Sequence, residues 1–585
     1  MAPKNPPSPS SAPGSGAAAM DSPGFHTIME EILACIPAQP ILSPAAGSVA
    51  APAAGDGSVH APAPAPSPAA APAPAPAASS DGGGDETGED RTNRLAVALL
   101  SNVISRLRGK DAAAARSDCA GDEAGDGEDR ISRLADALLS NIVSRLPAKD
   151  AARTAALSPR WRRVWASTPL VLDDAHLLPD QPDGPLGFGT NWRSIADAVS
   201  GALDAHPGPF RCVRLTHVCN YAAAREGGEL ARDWLRVIAA KGVDDLVLVC
   251  RPWPIDADLP ANILRVASLR RLYLGLWDDF AGSTKALRGN SVFPHLLELG
   301  LCRTDIETAD ISRLLKCSPL LEKLALVACY NAPPRVRVRS PCLRCVLFWI
   351  SVAEEIDVPD APRLERLILW SECPCARFAD NFHTRLNIGD VKELKVLGYL
   401  DTRLHVLRIS NTVIEAGTKP SPRTMVPSVK ILALKVRFGV RKEAKMLPSY
   451  LRCFPNVVTL HIMSDKAGEP TGKLNFKFWQ ETCPISCLQS QIKRVVFKNF
   501  RGNRSEFAFL RFILERAQML NKMVVVLADE DDPVSMEQMV AKLKPLTTAK
   551  RASKDRKLTI LVRNGGCAWS FRRASDLSVN DPFDC

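Results

Sequence analysis

Phe293-Pro294-His295-Leu296-Leu297-Glu298-Leu299-Gly300-Leu301 decides the fold of this 585-residue chain when it is laid over Ser318-Pro319-Leu320-Leu321-Glu322-Lys323-Leu324-Ala325-Leu326. Each stretch opens on a turn-forming X-Pro dipeptide and closes on apolar-x-x-apolar-x-apolar, a pattern that ends with the period of two of a strand. Upstream, the same pattern stands at Val243/Leu246/Leu248 and Leu269/Leu272/Leu274. Downstream it recurs at Leu343/Val346/Phe348, Leu364/Leu367/Leu369 and Val391/Leu394/Val396, then more weakly at Val429/Leu432/Leu434 and Val457/Leu460/Ile462. The middle positions of the first seven copies are 26, 27, 25, 22, 21 and 27 residues apart. Ser340-Pro341, Ala361-Pro362 and Phe454-Pro455 introduce other copies.

An irregular period of short strands at this length is the signature of a leucine-rich-repeat solenoid, expected over residues 205–480. Each inward side chain contributes about 1.5–3 kcal/mol on full burial. Chain entropy offsets most of that, so stability is expected to come from stacked neighbours. The rhythm changes after residue 480. Strands are expected at 492–497, 523–527 and 558–562, and a helix at 505–520 carries Phe507, Leu510, Ile513, Leu514 and Ala517 on one side. A capping-box form at Ser535-Met536-Glu537-Gln538 opens another helix. This β-α-β-α-β unit, 481–565, is expected to cap the open end of the solenoid. Residues between the inward leucines face the concave surface, which places Tyr273, Trp349 and Trp370 outward as candidate target-binding residues.

Lys and Arg number 74 against 64 Asp and Glu, a net charge of +10. Residues 1–128 hold 7 basic and 15 acidic side chains, so the surplus belongs to the remainder, and it is too diffuse to imply nucleic acid. The first 80 residues contain 17 of the 46 prolines. Residues 1–88 are therefore expected to be a disordered Ala/Pro-rich tail, with one short apolar patch, Ile28-Met29-Glu30-Glu31-Ile32-Leu33, able to form a transient helix. The N-terminus lacks the apolar core of a secretory signal, and no run reaches the ~18–20 apolar residues of a membrane helix. Seventeen irregularly spaced cysteines fit reduced, mostly buried thiols in a soluble intracellular protein, in the nucleus and/or cytoplasm.

Between tail and solenoid lies a duplication. Residues 89–113 align without gaps to 128–152, with 18 of 25 positions identical. Only the second copy continues into a complete module. Leu134, Leu138, Leu139, Ile142 and Leu146 recur at helical spacing until Pro147 terminates the pattern. Residues 149–157 form a second, Ala-rich helix. Ser158-Pro159 is an N-cap followed by a first-turn proline, and it starts a third helix that sets Trp161 and Trp165 one turn apart. Three such short helices cannot bury their own apolar surface, so a neighbouring domain or a partner must cover it.

No catalytic constellation emerges. Gly468-Glu469-Pro470-Thr471-Gly472-Lys473-Leu474 is one residue short of a phosphate loop and ends in Leu where a hydroxyl is needed. Cys342-Leu343-Arg344-Cys345 has no second ligand pair at zinc-site spacing, and Cys373/Cys375 and Cys483/Cys487 are equally unaccompanied. The nine histidines are scattered. Neither a cofactor nor a metal is expected, and the chain reads as a non-enzyme. The basic run 550–557 reads as a solvated loop, with nuclear import as the sharper alternative.

Asp129-Arg130-Ile131-Ser132-Arg133-Leu134, Leu138-Leu139, Ile142-Val143-Ser144-Arg145-Leu146-Pro147, Lys149-Asp150 and Leu157-Ser158-Pro159-Arg160-Trp161-Arg162-Arg163-Val164-Trp165 closely resemble the F-box. Cys487-Leu488, Val495-Val496-Phe497, Phe500-Arg501-Gly502, Glu506 and the run Phe509-Leu510-Arg511-Phe512-Ile513-Leu514-Glu515-Arg516-Ala517-Gln518-Met519-Leu520 resemble an FBD module. The whole resembles the plant F-box/leucine-rich-repeat family: an α/β chain with a three-helix F-box (128–170), preceded by a degenerate partial copy and linker (89–127), then solenoid and cap. The resemblance implies a non-catalytic substrate receptor of a cullin-RING (SCF-type) ubiquitin ligase. Its F-box would dock on a Skp-type adaptor, and through it a cullin, while the repeats hold an unknown protein target. Carried over residue by residue, Leu134, Leu138, Leu139, Ile142, Leu146, Pro147, Leu157, Trp161 and Trp165 become the adaptor-docking or docking-core set. Ala135 departs from the family's proline, and the first copy, lacking a Trp161–Trp165 counterpart, is expected not to dock. The alternative is a repeat-based interaction scaffold whose F-box has decayed.

Overall fold

The computed structural model describes residues 32–36, 134–177, 192–216, 225–250, 259–277, 292–304, 306–329, 335–371, 383–466, 471–528 except 473, 559–563 and 569–584, with a few single positions between 543 and 552. Among them, one parallel sheet of fourteen strands runs through the molecule in chain order. It comprises β1 (Leu170–Asp173), β2 (Phe210–Leu215), β3 (Asp245–Val249), β4 (Arg271–Gly275), β5 (Glu298–Cys302), β6 (Lys323–Val327), β8 (Cys345–Trp349), β10 (Arg366–Trp370), β12 (Val396–Asp401), β15 (Ile431–Val436), β16 (Thr459–Ser464), β17 (Arg494–Phe500), β18 (Lys522–Leu527) and β19 (Thr559–Arg563). The predicted X-Pro pairs precede β5, β6, β8, β10 and β16, where they set the turn from which the strand rises. The Leu321 amide bonds the Ser318 carbonyl, and Leu364 bonds Ala361 in the same way.

The inward residues stack in register. Leu272 pairs with Leu299, Leu299 with Leu324, Leu324 with Val346, and Val346 with Leu367, all at most 1% exposed. Just before each strand of this sheet from β3 to β17 a carbonyl accepts two successive amides of the next repeat. Arg270 O takes Leu297 and Glu298, Leu297 O takes Glu322 and Lys323, and Glu322 O takes Arg344 and Cys345. Both neighbours are therefore needed before a strand's polar backbone is satisfied.

The sheet begins at β1, and Phe210-x-x-Val213-x-Leu215, inside the expected 205–480 span, is itself a full copy of the repeat pattern, with Val213 and Leu215 aligned to Leu246 and Leu248. The 481–565 unit closes the far end of the solenoid by extending it, since β17, β18 and β19 continue the same ladder from β16. The structure departs from the sequence reading at two places. One repeat is out of phase by three residues: Leu367 pairs with Leu397, so Leu394 takes the turn position assigned to Val391. Leu394-x-x-Leu397 and Val391-x-x-Leu394 fit the pattern equally well. The close approach of β15 selects the former, since a Cβ on Gly398 would lie 2.2 Å from the Ala433 carbonyl oxygen. In addition, a second sheet of five strands, in the order β14-β13-β11-β9-β7, accompanies the middle repeats. There β7 (Arg335–Arg339) buries Val336 and Val338, while Arg335, Arg337 and Arg339 pair with Glu355 and Asp357 and Asp360 on β9 (Glu355–Asp360). β11 (Thr384–Asp390), β13 (His405–Ile409) and β14 (Thr412–Val413) complete it.

Of the N-terminal tail, only residues 32–36 are described. They form a helical turn with Ile32, Cys35 and Ile36 buried, so this part of the apolar patch is packed. The first F-box copy, the basic run apart from Ala552, and Cys373/Cys375 lie outside the described residues. Cys212, Cys345, Cys453 and Cys487 are free thiols, each pushed up to about 12 by burial, which marks them as unreactive packing residues. Among the described residues no helix is long and apolar enough to cross a membrane.

His405 makes stability pH-dependent. Its Nδ1 accepts the Asp401 amide at 2.9 Å, and complete burial pushes its pKa down to about 4. Between that value and 6.5 the unfolded chain binds a proton that the fold refuses, so the contribution is intact above 6.5 and lost as pH falls through this window. Urea unfolding is expected to show a loss of about 3 kcal/mol from this group between pH 6.5 and 4. His405→Asn, whose side-chain oxygen can take the same amide, should flatten the limb. His206 and His461, also lowered by burial, leave the residual slope.

Candidate protein-interaction site

The three predicted helices are present as Asp136–Val143, Ala148–Thr154 and Pro159–Ser167, and the second packs on the third. The third helix starts as its sequence requires: Ser158 is extended, its hydroxyl accepts the Trp161 amide at 3.3 Å, and Pro159 fills the first turn. The nominated residues divide by burial. Leu139, Ile142, Leu146 and Trp161 are buried, while Leu134, Pro147, Leu157 and Trp165 are half-buried. Leu138 is 55% exposed, and Ala135 is exposed beside it on the same stretch.

Trp161, at 6% exposure, is thus a core residue of the module. Trp165 faces the first repeat, edge-on to His206 with ring centroids 5.0 Å apart. The His206 Nε2 lies 3.1 Å from the Thr168 carbonyl oxygen and 3.3 Å from that of Pro209, which ties the ring to the strand entering the sheet. Ala148, Ala152, Trp165, Ala202, His206 and Phe210 line an apolar cavity of about 300 Å³ there.

The concave surface is the second candidate. Tyr273, Trp349 and Trp370 do take the outward strand positions, but they were expected to be exposed and are not. Tyr273 is fully buried, its ring lying across Gly300, where an added Cβ would come within 2.2 Å, and its hydroxyl donates to Glu298 Oε1 at 2.5 Å. Trp349 is 6% exposed and Trp370 half-buried, because the chain's last residues cover them. Trp569 stacks on Trp349 at 4.7 Å and meets Trp370 edge-on at 4.5 Å, while Phe571 meets Trp349 at 5.6 Å.

Residues 569–584 then cross successive repeats. Arg366 on β10 donates to the carbonyls of Ala574 (3.4 Å), Asp576 (2.8 Å), Leu577 (3.4 Å) and Val579, terminating the short helix Phe571–Ser575. His461 on β16 meets Asp581 at 2.9 Å, and Arg494 and Lys498 on β17 hold Asp584 and the Phe583 carbonyl. Burial lowers the His461 pKa more than its carboxylate partner raises it. Burial opposes ionisation of Asp581, yet the His461 hydrogen bond prevails and its pKa is lowered, so a neutral imidazole donates to a carboxylate. Desolvation pushes Lys498 down to about 8. The sequence reading stopped at residue 565 and missed this segment. Its signals were Trp569, Phe571 and Phe583 set among aspartates, and basic side chains at outward strand positions.

Three domain families match the chain: the F-box domain over residues 131–172, the LRR repeats of the FBD-associated F-box protein At5g56370 over 231–462, and the FBD over 480–525. Among curated relatives, the putative F-box/FBD/LRR-repeat protein At5g44950 of Arabidopsis thaliana is 23% identical over 436 residues, covering 68% of this chain and 92% of its own length. The F-box protein At1g80960 of the same plant is 22% identical over 425 residues, covering 68% of this chain and 84% of its own. A solved leucine-rich-repeat protein of Leptospira interrogans aligns with 69% of this chain and 99% of its own at 12% identity, with a TM-score of 0.25.

The burial pattern separates scaffold from surface in the helical module. Trp161→Ala should destabilise the full chain by about 3–5 kcal/mol in urea unfolding. Leu138→Asp, which places a charge where solvent already reaches, should stay within about 0.5 kcal/mol of the parent.

Proposed function

We propose that this chain, which belongs to the plant F-box/leucine-rich-repeat proteins with a C-terminal FBD module, is the substrate-recognition subunit of a cullin-RING (SCF-type) ubiquitin ligase. An F-box is in general the element that a Skp-type adaptor binds, and the solenoid is the surface left to hold a protein target. The chain itself performs no chemistry on this reading: it brings a target to a conjugating enzyme held at the other end of the assembly. Adaptor, cullin and target would meet it in the nucleus or cytoplasm. The free thiols at Cys212, Cys345, Cys453 and Cys487 favour such a reducing compartment.

The observation that carries the reading is Leu138. On the first helix Leu139 and Ile142 are buried while Leu138, a large apolar side chain, is left more than half in water. Leu138 lies within the F-box match over residues 131–172, and that position, together with its exposure, makes it the contact a partner would cover. The docking set is Leu138 with the half-buried Leu134, Pro147, Leu157 and Trp165. Leu139, Ile142, Leu146 and Trp161 act behind it as support. Ala135 favours the scaffold reading, since the family's proline would have fixed the backbone at that point and added apolar contact.

Retention on an immobilised Skp-type adaptor tests both. The full chain should be retained at micromolar concentration, and Leu138→Asp should weaken binding by about tenfold or more without loss of stability. Absence of retention by the wild-type chain ends the ligase reading and leaves an interaction scaffold.

A further inference from the structure

We propose that the concave face from β8 to β17 is a recognition groove for an acidic, aromatic-anchored peptide segment, and that residues 569–584 are its ligand in cis. The identification of such a segment in trans as the ligase target rests on the function proposed above; the groove and its chemistry do not.

Four observations carry this. The segment joins neither sheet, so the solenoid's ladders close without it. It is held through side chains and carbonyls, as a bound peptide is. The groove also has two chemically distinct ends. Trp349, Trp370 and Tyr399 form an aromatic box around Trp569, with Tyr399 at 5.4 Å, while His461, Arg494 and Lys498 gather at the other end around Asp581 and Asp584. Third, the cations are unsuited to a solenoid that is simply packing. Arg366 and Lys498 are each only 5% exposed, and their hydrogen bonds run to the segment's backbone. Without an occupant, both would face an empty channel. Last, the occupant does not use all that the groove offers. The Nδ1 of His461, whose side chain is fully buried, and the Nε of Arg494 have no hydrogen-bond partner among the described residues. A buried polar atom without a partner costs free energy, so a ligand that reaches these atoms binds better than the chain's own segment.

The ligand class follows from the contacts. It carries an aromatic pair for the box, a short helical turn whose free carbonyls meet Arg366, and an Asp-x-aromatic-Asp end for His461, Arg494 and Lys498. In this chain these are Trp569 with Phe571, residues 571–579, and Asp581-Pro582-Phe583-Asp584. Covalent attachment gives the cis segment a high effective concentration, on the order of millimolar. A trans ligand is outcompeted until that attachment or its contacts are weakened, which sets the design of the test.

A labelled peptide of residues 568–584 is titrated by fluorescence anisotropy against three full-length proteins: the parent; a release variant, W569A/D581N/D584N; and the release variant with R494Q and K498M added. The parent should bind weakly, the release variant about tenfold tighter or better, and the added substitutions should remove that gain. A labelled peptide carrying D581N and D584N should bind the release variant about tenfold more weakly than the native peptide. Equal binding to parent and release variant, or no binding to a release variant whose melting matches the parent's, overturns the proposal by making the segment a fixed lid. If the release variant does not fold, a protease site placed at 564–568 of the full chain replaces it. After cleavage the labelled peptide should exchange into the groove, and a cleaved segment that resists exchange overturns the proposal equally. Adaptor retention is measured on the same samples: its loss with peptide binding intact counts against the ligase reading alone.

Discussion

From β3 to β17 every repeat depends on the carbonyl that precedes its strand and takes two amides from the next. That bifurcated contact locks the phase of one strand to its neighbour, and once it is set the inward leucines fall into register without further choice. An individual repeat satisfies neither its carbonyl nor its apolar face. Order is therefore a property of the row. The same constraint makes the FBD end part of the ladder: the Val458 carbonyl takes the Lys493 and Arg494 amides, and β17 pairs directly with β16.

A solenoid has two faces to dispose of. The inner core is shared among repeats, and the second sheet handles one outer stretch by strict alternation, with arginines over acids. Those pairs are largely exposed, so valine burial sets the register and the charges tune solubility. The concave face is handled differently. Instead of small polar side chains it carries tryptophans, a tyrosine and buried cations, groups that are costly to leave uncovered and that pack well only against something complementary. The last residues of the chain supply that complement.

Much of this was readable in the sequence, for a physical reason. Leucine spacing and X-Pro turns are local consequences of the repeat, so Leu246 to Leu460 could be placed, and Ser158-Pro159 fixed a helix start to the residue. What local pattern could not settle was competition between equivalent patterns. Val391, Leu394 and Leu397 offer two phases, and only the contact of Gly398 with Ala433 on the next repeat chooses between them. The Arg335-Val336-Arg337-Val338-Arg339 alternation was plain to see, yet it belongs to a different sheet from the leucines and was passed over. At the helical module the residues nominated from the resemblance could be listed. Their division into core and surface could not be read, because Trp161 and Leu138 differ only in which way the helices pack. The outward direction of Tyr273, Trp349 and Trp370 followed from strand period, whereas the burial of Trp349 and Trp370 depends on residues some two hundred positions later and has no local signature.

The uninterrupted run from β1 to β19 also makes the molecule a ruler. Adjacent strands lie about 4.8 Å apart, so each added rung would move β19 further from β1 by that increment. Gaining or losing a rung would change this span while leaving the side chains at either end chemically untouched.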